Sequence, residues 1–221
     1  TIALNADIRS LEPGINRDGN TDTVAHTIFE GLVAYKADLS VGPALARSWT
    51  VSDDGRTWTF ALREGVRFHN GQPLTAQALK WTWERQWANE RWGCKRFFDG
   101  TTGLKVEAME TPDAHTVVYR LAGPSGLFLK QLANVQCGIV AAHPASAEAD
   151  GKWKEPIGTG PLKLADWRRG EYVALDRFDG YVASPEPASA YAGARILHFD
   201  RVVFRVVPDA SSAEAGLATG A

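Results

Sequence analysis

The sequence is short of cysteine, of net charge and of long apolar runs, and each shortage removes a class of function. Cys94 and Cys137 are the only cysteines among 221 residues, and neither stands in a C-x-x-C or metal-ligand spacing, so no zinc ribbon or dithiol redox motif is available. The 24 basic and 26 acidic residues leave a formal charge of −2, too little to draw in nucleic acid or anionic lipid. The strongest apolar stretch, Val202 to Val207, is broken by Arg205 and falls far short of the roughly 18 residues of a membrane span. His26, His69, His115, His143 and His198 are scattered without an i, i+4 pair, so no metal cofactor is expected. No G-x-S-x-G elbow occurs. Gly158 to Gly160 lacks the following Lys-Ser or Lys-Thr of a phosphate loop and reads as a turn. Asp53 and Asp54, beside Gly55, read as turn residues rather than a hydrolytic pair. Nothing in this inventory points to catalysis.

What the sequence does have is short-range periodicity. Trp49 and Val51, then Trp58, Phe60 and Leu62, alternate with small or polar residues, the pattern of two half-buried antiparallel strands joined at Asp53, Asp54 and Gly55. A second turn falls at Asn70 and Gly71. Upstream, residues 1–8 read as a strand, 11–20 as a loop with Pro13 and Gly14, and 23–33 as a helix with Val24, Ile28 and Leu32 on one stripe. The clearest helix follows Thr75, a suitable N-cap, with Leu79, Trp83 and Trp87 on one face and Trp81, Ala88 and Trp92 on another. Residues 104–110 and 116–121 predict a hairpin around Pro112 and Asp113, 127–133 a short helix, 138–142 a short strand, and 162–167 with 172–178 a further hairpin around Gly170. Residues 199–207 are apolar at six of nine positions, which reads as a strand covered on both faces, and Pro208 with Asp209 opens a helix to about Thr219.

The eight tryptophans invite a sugar-stacking or cation-binding reading, but Trp49, Trp58, Trp83 and Trp87 fall on the buried stripes and read as core. Trp92, Phe97 and Phe98 differ, because they stand among Lys95, Arg96 and Asp99 in a stretch without clean periodicity. There a binding loop is an open alternative to a core role.

Four ordered segments, FEGLV, PALARSWTVSDDGRTWTFALREGVRFHNGQPLTA, PIGTGPLKLADWRRGEYVALDRFDGYV and DRVVFRVVPDASSAEAGLATG, resemble the family 5 extracellular solute-binding proteins that serve dipeptide, oligopeptide, nickel and opine ABC transporters. The resemblance runs from about Leu11 to Ala221. It implies an α/β fold of the periplasmic-binding-protein type (type II, cluster C), a mixed-sheet lobe with a smaller inserted α+β lobe. The expected division is residues 1–43 for the first segment of lobe I, 44–157 for the inserted lobe and 158–221 for the continuation of lobe I. Family members continue into a second large lobe, so the sequence is expected to be an N-terminal portion lacking it. The start at Thr1 rather than Met fits a processed or an engineered start.

The same resemblance implies the substrate-binding component of an ABC importer, periplasmic or extracellular and associated with the membrane. It would be a monomer that captures a peptide or similar small solute and works with permease transmembrane subunits. The alternative is a ligand-sensing module of a regulatory or chemosensory protein. No cofactor, nucleic acid or enzymatic step is implied. By resemblance, the ligand-facing residues are Asn16, Arg17 and Asp18 before the EGL helix, Phe97 and Phe98 after the long helix, and the stretch Asn134 to Gln136. In an oxidising compartment Cys94 and Cys137 would pair, adding roughly 4 kcal/mol on the chain-entropy account. The spacing alone leaves two separate buried thiols open.

Overall fold

In chain order, short strands and helices alternate in the computed structural model, which describes residues 1–219. The first part holds β1 (Ile2–Leu4), α1 (Gly19–Ile28), β2 (Val33–Tyr35), β3 (Val41–Pro43), β4 (Ala46–Val51), β5 (Thr57–Leu62) and α2 (Ala76–Ala88). After it come β6 (Val106–Asp113), β7 (Thr116–Leu121), α3 (Phe128–Leu132), β8 (Leu162–Arg168), β9 (Tyr172–Arg177), β10 (Arg201–Val206) and α4 (Ala210–Thr219).

The alternation around Asp53 to Gly55 produces the expected hairpin, in which Trp49 stands opposite Phe60, and Gly55 takes the left-handed turn position at φ 69°. β5 then pairs with β7 and β7 with β6, giving an antiparallel sheet of order β4-β5-β7-β6. One face of this sheet and α2 enclose a core that includes Phe60, Leu79, Trp83, Tyr119 and Phe128. A second sheet, β1-β10-β9-β8, is mixed: β1 runs parallel to β10, and the other pairs are antiparallel. It packs on α1 through Ile8, Val24, Ile28, Leu175 and Phe204. β2 and β3 form a separate two-stranded hairpin. No helix among the described residues is long and apolar enough to cross a membrane.

Four expectations are corrected by side-chain chemistry that the periodicity did not report. α1 begins at Gly19 rather than Thr23, because the Asp18 side chain accepts the Thr21 N–H at 2.9 Å, and it ends at Ile28 because Phe29 is extended. α2 ends at Ala88, so Trp92 lies beyond it in an irregular stretch with a 3₁₀ turn at Lys95–Phe97, and Thr75 caps without a side-chain bond. Residues 138–142 form a single bridge, Gly31 to Val140, in place of a strand. The neighbouring amides are satisfied singly, Ala141 by the Glu30 carbonyl and Ala142 by the Thr82 hydroxyl. β10 is covered on one face only: Phe204 is buried, whereas Phe199 lies outside the strand and is 67% exposed. α4 follows where expected, with the Asp209 carboxylate accepting the Ser212 N–H at 2.8 Å, and it buries no residue. The last two residues of the 158–221 segment lie outside the described residues.

Candidate functional site

Three segments far apart in sequence meet beside the C-terminal end of α2. The loop before α1 can lie against residues 137–138 only because position 14 is glycine. A Cβ there would stand 2.7 Å from the Cys137 carbonyl and 2.9 Å from the Trp92 ring, and its φ is 76°. Cys94 and Cys137 are joined by a disulfide with their Cα atoms 5.4 Å apart, which ties the stretch after α2 to the third segment. The Trp92 indole N–H reinforces this link by donating to the Cys137 carbonyl at 2.9 Å. Arg17 closes the circle, donating from Nη1 to the Val135 carbonyl at 2.7 Å and pairing with Asp22.

Of the residues expected to face ligand, the structure leaves some open and commits others. Asn16, at φ 51°, and Gln136 are exposed on the rim of this junction. Phe97 is half-buried, with the Arg96 guanidinium 5.0 Å from its ring centroid. Asn134 accepts the Gln136 N–H at 3.0 Å and so shapes its own turn. Asp18 is engaged twice, as the α1 cap and in an ion pair with Arg9 at 2.9 Å. Phe98 is corrected: it has no exposed surface, lying stacked on Trp92 at 5.9 Å and edge-on to Trp83 at 5.3 Å, so it is a core residue and not part of an open wall. Trp92, 2% exposed, joins it there.

Val135 and Gln136 also line a groove of about 570 Å³ whose walls include α1, through Asp22 and His26, the start of β8, through Leu162, and the segment carrying Tyr191 and Arg195. Arg195 holds that segment down, donating to the His26 carbonyl at 2.6 Å and to the Tyr191 carbonyl at 3.2 Å. Burial, followed by the positive charge of Arg195 and Arg17, pushes the His26 imidazole down to about 4, so it is neutral at pH 7. Desolvation likewise raises the Asp22 carboxyl against the pull of Arg17 and lowers the Arg17 guanidinium against the pull of Asp22. Among the described residues no three His, Cys, Asp or Glu side chains converge to hold a metal ion. The groove and rim therefore offer hydrogen bonds and ring faces to a polar ligand.

His26, Tyr191 and Arg195 escaped the sequence reading of the site. Asp22 and His26 stand four apart on one helix face, a signal hidden by starting the helix at Thr23. Tyr191 and Arg195 lie in an irregular stretch without periodicity.

The model of the family described as bacterial extracellular solute-binding proteins, family 5 Middle, matches residues 40–221. The probable D,D-dipeptide-binding periplasmic protein DdpA of Escherichia coli (strain K12) is 31% identical over 229 residues, an alignment covering 99% of this chain and 41% of that protein. The glutathione-binding protein GsiB of Salmonella typhimurium (strain LT2) is 30% identical over 221 residues, covering 99% and 40%. Among solved structures, an ABC transporter substrate-binding protein from Sinorhizobium meliloti superposes with a TM-score of 0.82 at 26% identity, over 99% of this chain and 41% of that one. The periplasmic binding protein DppA from Helicobacter pylori, in complex with peptide STSA, superposes with a TM-score of 0.81 at 28% identity, over 99% and 44%. The chain thus spans about 40% of the length of the curated relatives it matches.

Proposed function

Because the chain belongs to the family 5 bacterial extracellular solute-binding proteins, we propose that it acts in the substrate-binding component of an ABC importer. In that role it captures a peptide or similar small solute in an interlobe cleft and delivers it to the transmembrane subunits of a membrane permease. The observation that carries this reading is the match over 99% of the chain to proteins named for binding a D,D-dipeptide and glutathione. Those relatives are solute-binding proteins rather than enzymes, in keeping with a site built from hydrogen-bonding groups and rings.

In this reading residues 1–43 and 158–221 build one lobe and residues 44–157 a smaller inserted one. The ligand wall is the junction formed by Asn16, Arg17 and Asp18, Phe97, and Asn134 with Gln136. Asn16 and Gln136 reach the ligand directly, while Arg17 and Asp18 act through the ion pairs that fix the loop. The work is done by closure, whose energy is the difference in ligand affinity between open and closed states. It takes place in the periplasm or outside the cell, at the membrane only by association, with a monomeric receptor.

The test is isothermal titration of the full-length gene product carrying this sequence with a panel of dipeptides, tetrapeptides and glutathione. One-to-one binding that Asn16→Ala and Gln136→Ala each weaken about tenfold is expected, the size of one lost hydrogen bond to a buried ligand. Failure of every member of the panel to bind would remove the peptide reading.

A further inference from the structure

The disulfide holds the second of the two loops that matter to the proposed wall, and Arg17 joins the first to it through the Val135 carbonyl; a further tie runs from α2 to both. Gln86, in the last turn of α2, is 3% exposed, and its Nε2 donates to the Pro13 carbonyl at 3.0 Å and to the Gly138 carbonyl at 2.5 Å. A primary amide has two N–H groups, and here each is used on a different segment. Pro13 leads into Asn16 and Arg17, and Gly138 follows Asn134 and Gln136. The amide oxygen is buried without a partner among the described residues, so packing alone does not account for a polar side chain at this position. The adjacent Arg85 supports the same loop, reaching Glu12 Oε1 with Nε and Nη2, both at 2.8 Å. Cys94 and Trp92, by contrast, bond only to the 137 side of the junction.

We infer that Gln86 is a positioning residue for the ligand wall: by bonding to both loops it sets their spacing, which the Cys94–Cys137 disulfide, bonded to one of them, cannot do. The relevance to ligand rests on the function proposed above, but the geometry can be tested without any ligand. Hydrogen exchange followed by mass spectrometry reads the hydrogen-bonded amides of Ile15 in the first loop and of Cys137 and Gly138 in the second. In Gln86→Met, a side chain of similar size without a donor, exchange is expected to rise about tenfold in both loops, as for loss of a buried hydrogen bond, and to stay unchanged in β4–β7. In the double variant Cys94→Ser, Cys137→Ser, only the second loop is expected to loosen. Thr82→Val is the control, since Thr82 is equally buried one turn earlier on α2 but bonds to Ala142 instead. Unchanged loops in Gln86→Met, a rise spread equally over the sheet, or an equal effect of Thr82→Val would each overturn the inference. Full exchange behaviour as expected, together with no binding of any peptide, would uphold Gln86 as the spacer and reject the peptide reading alone.

Discussion

His26 and Glu30 stand four residues apart at the end of α1 and respond to pH in opposite senses. The His26 imidazole titrates near 4 in the folded protein against an ordinary 6.5, so between those values only the unfolded chain binds the proton. The stability it contributes is present above pH 6.5 and is lost as pH falls toward 4, on the order of 3 kcal/mol in all. Glu30 is buried, and desolvation raises its carboxyl despite nearby Arg195 and Arg63 and the Tyr181 hydroxyl, which donates to Oε1 at 3.1 Å. Its contribution is therefore present below the unfolded value near 4.5 and is lost as pH rises through the folded one. The two slopes oppose each other in the wild type. Glu30→Gln is expected to steepen the gain in stability from pH 4.5 to 6.5 and His26→Gln to flatten or reverse it, as read from urea midpoints across that range. Phe98 makes a separate residue-scale case. It was indistinguishable in sequence from its neighbour Phe97 because no period runs through residues 93–99, and only the stack on Trp92 sends one ring inward and leaves the other half-exposed. Phe98→Ala is expected to cost about 3–5 kcal/mol in chemical denaturation, the range for a fully buried phenylalanine, and Phe97→Ala much less.

At the scale of elements, hairpins were legible because a period of two and a turn residue are both local: β4–β5 and β8–β9 formed where the alternation placed them. The bounds of α1 were not, because they depend on one capping carboxylate, Asp18, and on the chain that meets the helix end. That chain is the Gly158 to Gly160 stretch, which is less a turn than a close approach. A Cβ at Gly158 would run into the Ile28 carbonyl, and the Gly160 N–H donates to that carbonyl at 2.8 Å. Gly158→Ala should therefore destabilise by about 1–3 kcal/mol through overpacking, seen as a lower denaturant midpoint with an unchanged slope. The junction of loops was visible only through resemblance, since the contacts of Arg17 with Val135 and of Cys94 with Cys137 span stretches that no local pattern connects. The disulfide closes a separation of 43 residues. Its removal in Cys94→Ser, Cys137→Ser is expected to cost about 4 kcal/mol on the chain-entropy account, measured as a fall in unfolding free energy.

Over the whole molecule, the family and the mixed-sheet α/β architecture could be read from four ordered segments, while the covering of β10 could not. A largely apolar run says that a strand is suited to burial on both faces; which faces are met depends on chain packed from elsewhere. Among the described residues, β10 buries Phe204 on the core side, and α4 lies on the surface with Leu217 86% exposed. The same asymmetry governs binding. Asn16 and Gln136 stand on an exposed rim, and small-ligand sites ordinarily enclose about 70–90% of the ligand surface. A polypeptide of these 221 residues spans 41% of the dipeptide-binding relative and presents one such rim. Ligand binding raises apparent stability by RT ln(1 + [L]/Kd), so weak capture on one wall gives almost no shift at millimolar peptide, whereas enclosure with micromolar Kd gives about 4 kcal/mol. Thermal unfolding of the 221-residue polypeptide with dipeptides or glutathione is accordingly expected to show little or no rise in Tm. A rise of many degrees would mean that the rim and the groove beside His26 already form a complete site, and the proposal that ligand is held by closure between lobes would have to be given up.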